Sequence, residues 1–194
     1  ALIGYKSGTL VPRILYNGST QYHSRADEAA FDITGTEAYL NQPGLTIGAW
    51  VQFDVTAAAT EMIASKWASS NLSYNINRQS SGVLRFSITN DGSTTVNVDT
   101  SATMSSGTQY FVCGRFNPST ELMARINGTS VTNTTSIPAS IFSGSGNFEL
   151  ASNGGGSNFM DGRITLAFLC AAAVPDNHLD TFFQFTAPQF GVSV

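Results

Sequence analysis

Charge is what this sequence has least of. Only 11% of its 194 residues are Asp, Glu, Lys or Arg, against about 25% in an ordinary soluble domain. Exposed helices keep themselves in water with Glu, Lys and Arg, so the shortage argues against a helical fold. Nine basic residues against thirteen acidic ones give a net charge of −4. That balance offers no footprint for a phosphate backbone and excludes nucleic acid as a partner. Two cysteines, Cys113 and Cys170, are too few for a disulfide framework and lack the spacing of a zinc site. Both sit in apolar runs and read as buried free thiols, with a single bridge between them left open. The most apolar run, Ile164 to Val174, falls short of the about 20 residues that a membrane span needs. No membrane partner is expected. No basic stretch followed by an apolar one opens the chain. Ala1 suits removal of an initiator Met in a cytosol, and equally a leader already cleaved.

What is abundant is Ser, Thr and Asn, roughly 30% of the chain by count, together with 18 glycines. Apolar residues alternate with polar ones in short segments, the period of a strand with one face on a core. Leu45, Ile47, Ala49, Val51 and Phe53 form one such run, ended by Asp54. Leu72 to Ile76, Val83 to Ile88, Thr94 to Val98, Gln109 to Phe116, Leu122 to Ile126 and Ser130 to Thr135 continue the series. Asn90-Asp91-Gly92 and Asn127-Gly128 supply the tight turns between them. Phe148 and Leu150 mark a further strand, Asn153 to Asn158 a Gly-rich mobile loop, and Gly162 to Ala171 a long, nearly fully buried strand. Pro175 and Asp176 open one or two turns of helix carrying Leu179, Phe182 and Phe183. The expected fold is all-β, a two-sheet antiparallel jelly-roll sandwich with one short C-terminal helix. A single domain over 14–186 is expected, with an N-terminal arm at 1–13 and a C-terminal tail at 187–194. Each arm either pairs with a sheet edge or docks on a neighbouring subunit.

The order of these signals resembles the concanavalin A-like, laminin-G-type jelly rolls. Leu15 to Tyr22 is similar to the family's opening hairpin, and Ala26 to Ile33 to its crossing between sheets. Leu45-Thr46-Ile47-Gly48-Ala49-Trp50-Val51 and Ile63-Ala64-Ser65-Lys66-Trp67 resemble two consecutive strands of the family. Gly162-Arg163-Ile164 and the Ala-Val-Pro-Asp entry to the helix look like its last strand and terminal helix. The resemblance spans roughly residues 14–185. It implies calcium in members with an acid in the opening hairpin and another on the last strand. Here those places hold Asn17 and the acid-free Ile164 to Ala167, which leaves Asp32 and Asp161 as oxygen-donor candidates for calcium.

Catalysis is not expected. Glycosidases of this architecture carry Glu-x-Asp-x-x-Glu on one strand, because two carboxylates must flank the scissile bond. Here the acids are scattered one per segment. The two histidines, His23 and His178, lie in no triad context, and no phosphate loop is present. Sugar recognition needs aromatic faces beside loop amides and hydroxyls. The candidates are Trp67, Asn71, Arg78, Asn90, Asp91, Asn153, Asn158 and Phe159. Asn17, Asn71, Asn127 and Asn133 head N-x-Ser/Thr triplets, which a chain this rich in Ser and Thr produces by chance.

Low charge, polar turns and weakly charged arms resemble viral and phage surface modules. The first expectation is a non-enzymatic virion surface protein, made in a host cytoplasm. It would attach to neighbouring structural subunits as a homo-oligomer, with glycan-binding loops and no cofactor. The alternative is a secreted, extracellular lectin or adhesin domain.

Overall fold

The computed structural model describes residues 3–6, 9–37 and 42–194, with side chains from Arg13 onward. Thirteen strands are present among them. A seven-stranded antiparallel sheet has the order β1 (Ile3–Lys6), β2 (Thr9–Asn17), β13 (Asp161–Cys170), β4 (Leu45–Phe53), β9 (Gln109–Asn117), β10 (Glu121–Ile126), β11 (Thr129–Asn133). A six-stranded sheet has the order β3 (His23–Arg25), β12 (Phe148–Leu150), β5 (Glu61–Ala68), β6 (Asn71–Arg78), β7 (Val83–Thr89), β8 (Thr95–Thr103). This is the expected jelly-roll sandwich.

Period-two alternation puts Leu45, Ile47, Val51 and Phe53 of β4 into the space between the sheets, opposite Tyr74, Ile76 and Phe86 of β6 and β7. The intervening Trp50 points the other way. It joins Phe111, Cys113 and Met123 on the outer face of the larger sheet in a second core. Helix α1 (Asp176–Thr186) and the 3-10 turn Ala187–Phe190 close over that face with Leu179, Phe183, Ala187 and Phe190. Trp50 therefore packs under the helix and not against the second sheet.

Four details differ from the sequence expectations. The helix runs eleven residues, three turns instead of one or two, because the i, i+3, i+4 spacing continues through Thr186 and Ala187 until Pro188. Arg115 and Arg125 tie it down through Asp176 at 2.6 Å and Asp180 at 2.5 Å. The segment Leu15 to Tyr22 is no hairpin: β2 lies in the larger sheet and β3 in the smaller, so the turn after Asn17 crosses between sheets. Strand β13 is not buried throughout. Its register with β4 shifts between Thr165 and Phe168, Leu166 takes φ of 48°, and its side chain is turned out to 46% exposure. Both cysteines are free, Cys113 fully buried as expected but Cys170 only half-buried.

Packing runs across both boundaries drawn from sequence at 13/14 and 186/187. Strand β2 pairs with β13 from Ile14 to Asn17 and with β1 through Arg13. Phe190 is 1% exposed and stacks on Trp50.

Candidate functional site

The connection from β12 to β13 folds back along β5. Ser65 donates to Ser152 O at 2.9 Å, the Met62 amide donates to Asn158 O at 2.9 Å, and Asn153 bridges to Ser157. The Gly-rich stretch is thus pinned at both ends, not a free loop. Three successive glycines with positive φ make its tip, and a Cβ placed on Gly154 would come within 3.6 Å of the Trp67 carbonyl oxygen. Asn158 Nδ2 donates to Asn153 Oδ1 at 3.1 Å. Phe159 meets Tyr22 at 5.9 Å between ring centroids.

Between this tip and the β5–β6 turn lies a polar cleft of about 270 Å³, lined by Ala68, Asn71, Ser145, Asn147, Glu149 and Gly155. Asn71 Oδ1 accepts from Ser145 Oγ at 3.2 Å, and Asn147 Nδ2 donates to Ser24 Oγ at 3.1 Å. Among the described hydrogen bonds, the Asn71 Nδ2 donors and the Asn147 Oδ1 acceptor have no side-chain partner. Glu149 lies at the floor, 1% exposed, accepting from Gly155 N at 2.9 Å and from Ser152 Oγ at 2.5 Å. It faces no cation among the described residues. Open amide groups, a hydroxyl, bare glycine backbone and a fixed carboxylate make a concave surface suited to a polyhydroxylated ligand.

The expected site residues divide accordingly. Asn71 lines the cleft, while Trp67 on β5 and Asn153, Asn158 and Phe159 in the connection that carries the Gly154–Gly155 tip do not line it. Asn90 is exposed and Asp91 closes its own turn, accepting from Thr94 N at 2.6 Å and Ser93 N at 2.8 Å. That turn borders the same end of the sheet, since Leu72 N donates to Gly92 O at 3.3 Å. Arg78 does not belong to the site. It sits seven residues along β6 from Asn71, on the order of 20 Å away at strand rise. There it is fully buried, ion-paired with Glu61 and laid over the Phe53 ring at 3.9 Å. A strand-end arginine reads as exposed in sequence, and only register reveals that Glu61 stands opposite. The sequence reading missed Ser145, Asn147 and Glu149; an isolated acid between Phe148 and Leu150 signals an outward strand position but not its burial.

The calcium candidates are not brought together. Asp32 and Asp27 both bind the buried Lys66, Asp32 at 3.1 Å. Asp161 stands opposite Asn17 in register and against Gly18. Asn17 spends its Oδ1 on the amides of Ser19, Thr20 and Gln21. One carboxylate beside a saturated amide does not fit calcium, which takes six to eight oxygens. No cluster of three or more His, Cys, Asp or Glu exists among the described residues.

A two-sheet sandwich with a loop-built polar cleft is the architecture of lectin-type domains. The chain belongs to the Concanavalin A-like lectin/glucanases superfamily, whose sequence pattern it matches over residues 19–167. No curated protein matches it. Among solved structures it is similar to the binding domain of Paraclostridial Mosquitocidal Protein 1, with TM-score 0.70 and 12% identity over 100% of this chain and 51% of that one. It is similar to the binding domain of botulinum neurotoxin DC in complex with SialylT, with TM-score 0.64 and 13% identity over 95% of this chain and 44% of that one. A heptameric SAP-like pentraxin from Limulus polyphemus gives TM-score 0.58 and 14% identity over 93% of this chain and 79% of that one. The chain spans about half of the two toxin binding domains. At these identities the likeness shows the fold alone. These three are two binding domains and a pentraxin, while the superfamily's description also covers glucanases.

Proposed function

We propose that the chain is a non-enzymatic, lectin-type recognition module that binds a glycan in the cleft between Asn71, Asn147 and the Gly154–Gly155 tip. The observation that carries this reading is the convergence of unspent amide groups and bare backbone on one concave surface whose carboxylate, Glu149, is already fixed. Glu149 orients the loop tip through Gly155 and leaves the neutral donors to the ligand. Among the described residues that line the cleft, Glu149 is the one carboxylate, so no second one stands there to flank a glycosidic bond. The binding domain in complex with SialylT and the heptameric pentraxin support glycan recognition and an oligomeric form, and an extracellular setting is part of the proposal. No observation favours the virion surface over this setting.

The test is a glycan array with the purified chain and with Asn71→Ala, followed by titration of any hit. Saturable binding that Asn71→Ala weakens supports the reading. A blank array, or a hit that Asn71→Ala leaves unchanged, overturns it.

A further inference from the structure

Among the described residues no cation answers the Glu149 carboxylate, which is 1% exposed and accepts only from Gly155 N and Ser152 Oγ. Register explains this. In β12, Glu149 stands between Ser65 of β5 and Ser24 of β3, two hydroxyls. The next residues along those strands, Lys66 and Arg25, both pair with Phe148 and so lie on the other face of the sheet. There Lys66 is held by Asp27 and Asp32 and donates to Gly146 O at 2.9 Å, while Arg25 meets Glu28 at 3.2 Å. Acids thus outnumber bases around β12 even before Glu149 is added, in a chain whose net charge is −4.

Apart from Glu149, the residues that line the cleft are uncharged. A buried charge is screened far less than an exposed one, so its field reaches a ligand that it does not touch. The cleft of about 270 Å³ holds about one pyranose ring. A carboxylate anywhere on that ring stays within the about 8 Å over which physiological salt leaves charges coupled. Asn147 Oδ1 discriminates in the same sense. A hydroxyl or an ammonium brings it a hydrogen, whereas a carboxylate brings acceptors only.

We propose that Glu149 makes this cleft select its sugar by charge, admitting a neutral or amino-bearing saccharide and turning away one that carries a carboxylate. The proposal rests on the glycan reading of the same cleft and adds to it the class of sugar. Asn71 and Asn147 make the contacts, and Glu149 acts on the bound ring through its field.

The experiment titrates the full chain with galactose, glucose and mannose, and with the uronic acid and the 2-amino sugar of each, while NMR follows the side-chain amides of Asn71 and Asn147. A hexose and its uronic acid differ only at C6, a hydroxymethyl against a carboxylate. The expected result is that at least one neutral hexose saturates and shifts the Asn71 amide, that its uronic acid binds about tenfold more weakly, and that its amino sugar binds at least as tightly. In Glu149→Gln, with folding checked by circular dichroism, the two affinities of the hexose and its uronic acid come within about threefold of each other, whatever both lose together. If that variant does not fold, the ratios in the parent chain decide alone. A uronic acid that binds as tightly as its hexose overturns the charge selection and leaves the glycan reading standing. So does an amino sugar rejected as strongly as the acid, or a ratio that folded Glu149→Gln does not change. No saturation by any neutral hexose, with the Asn71 amide unmoved, overturns the glycan reading and this proposal together.

Discussion

The indole of Trp50 stacks on the ring of Phe190 at 4.3 Å between centroids and donates from Nε1 to Thr186 Oγ1 at 2.9 Å. One side chain in the middle of β4 thus holds both the last turn of α1 and the 3-10 turn that follows it.

Trp50→Ala removes the centre of this core and is expected to cost about 3–5 kcal/mol, as large aromatic truncations do. Trp50→Phe keeps most of the packing and loses the Thr186 bond, a loss of about 1 kcal/mol. Urea unfolding followed by circular dichroism separates the two. Equal midpoints for both variants would show that the helix contributes nothing through this contact.

Arg78 and Glu61 form a buried pair, the guanidinium fully enclosed and Glu61 6% exposed. Glu61→Gln leaves the cation uncompensated and is expected to destabilise the fold by about 3–5 kcal/mol. Because Arg78 lies about a strand's length from the cleft, folded Glu61→Gln keeps any glycan affinity. A thermal melt matching the parent protein would contradict the burial of this pair.

Asp91 is held well below the usual carboxylate range by the backbone amides of Thr94 and Ser93. A depressed value stabilises the turn above the unfolded carboxylate value of about 3.9, and the contribution is lost as pH falls through the lower folded value. The Asp91 carboxyl is therefore expected to titrate below the free Asp value of about 3.9 by carbon NMR. Asp91→Ala frees the Ser93 and Thr94 amides to exchange. A midpoint near that of a free Asp would remove the capping role.

Burial pushes the Cys113 thiol up to about 12. At pH 8 it stays protonated and enclosed, so iodoacetamide is expected to leave it unmodified until denaturant is added. Mass spectrometry of the peptide containing Phe111 to Arg115 reads the result. Rapid native alkylation would show that the helix does not seal this face.

In the cleft, Glu149→Gln keeps an acceptor for Gly155 N but alters the bond from Ser152 Oγ. Glycan affinity is expected to fall less than in Asn71→Ala, whose free amide faces the ligand in the proposed reading. Parallel titrations rank the two variants, and a larger loss for Glu149→Gln would make the carboxylate itself a ligand contact.

The sequence by itself determined the strands and turns, and through them the sandwich. Leu45 to Phe53 alternates, ends at Asp54 and is β4 with those bounds. Asn127 takes the positive φ its Asn-Gly turn requires. Such signals are local, because strand period and turn conformation depend on neighbours within a few residues. Tertiary structure alone decided which polar groups are spent and which are free. Neither Arg78 at a strand end nor Arg13 at the end of the N-terminal arm shows its surroundings in the sequence. Register sets Glu61 opposite the first and only Gly4 opposite the second. The cleft likewise draws Asn71, Asn147, Glu149 and Gly155 from segments up to 84 residues apart. No local pattern encodes that convergence, since it follows from strand order in the sheet and from the path by which the β12–β13 connection folds back along β5.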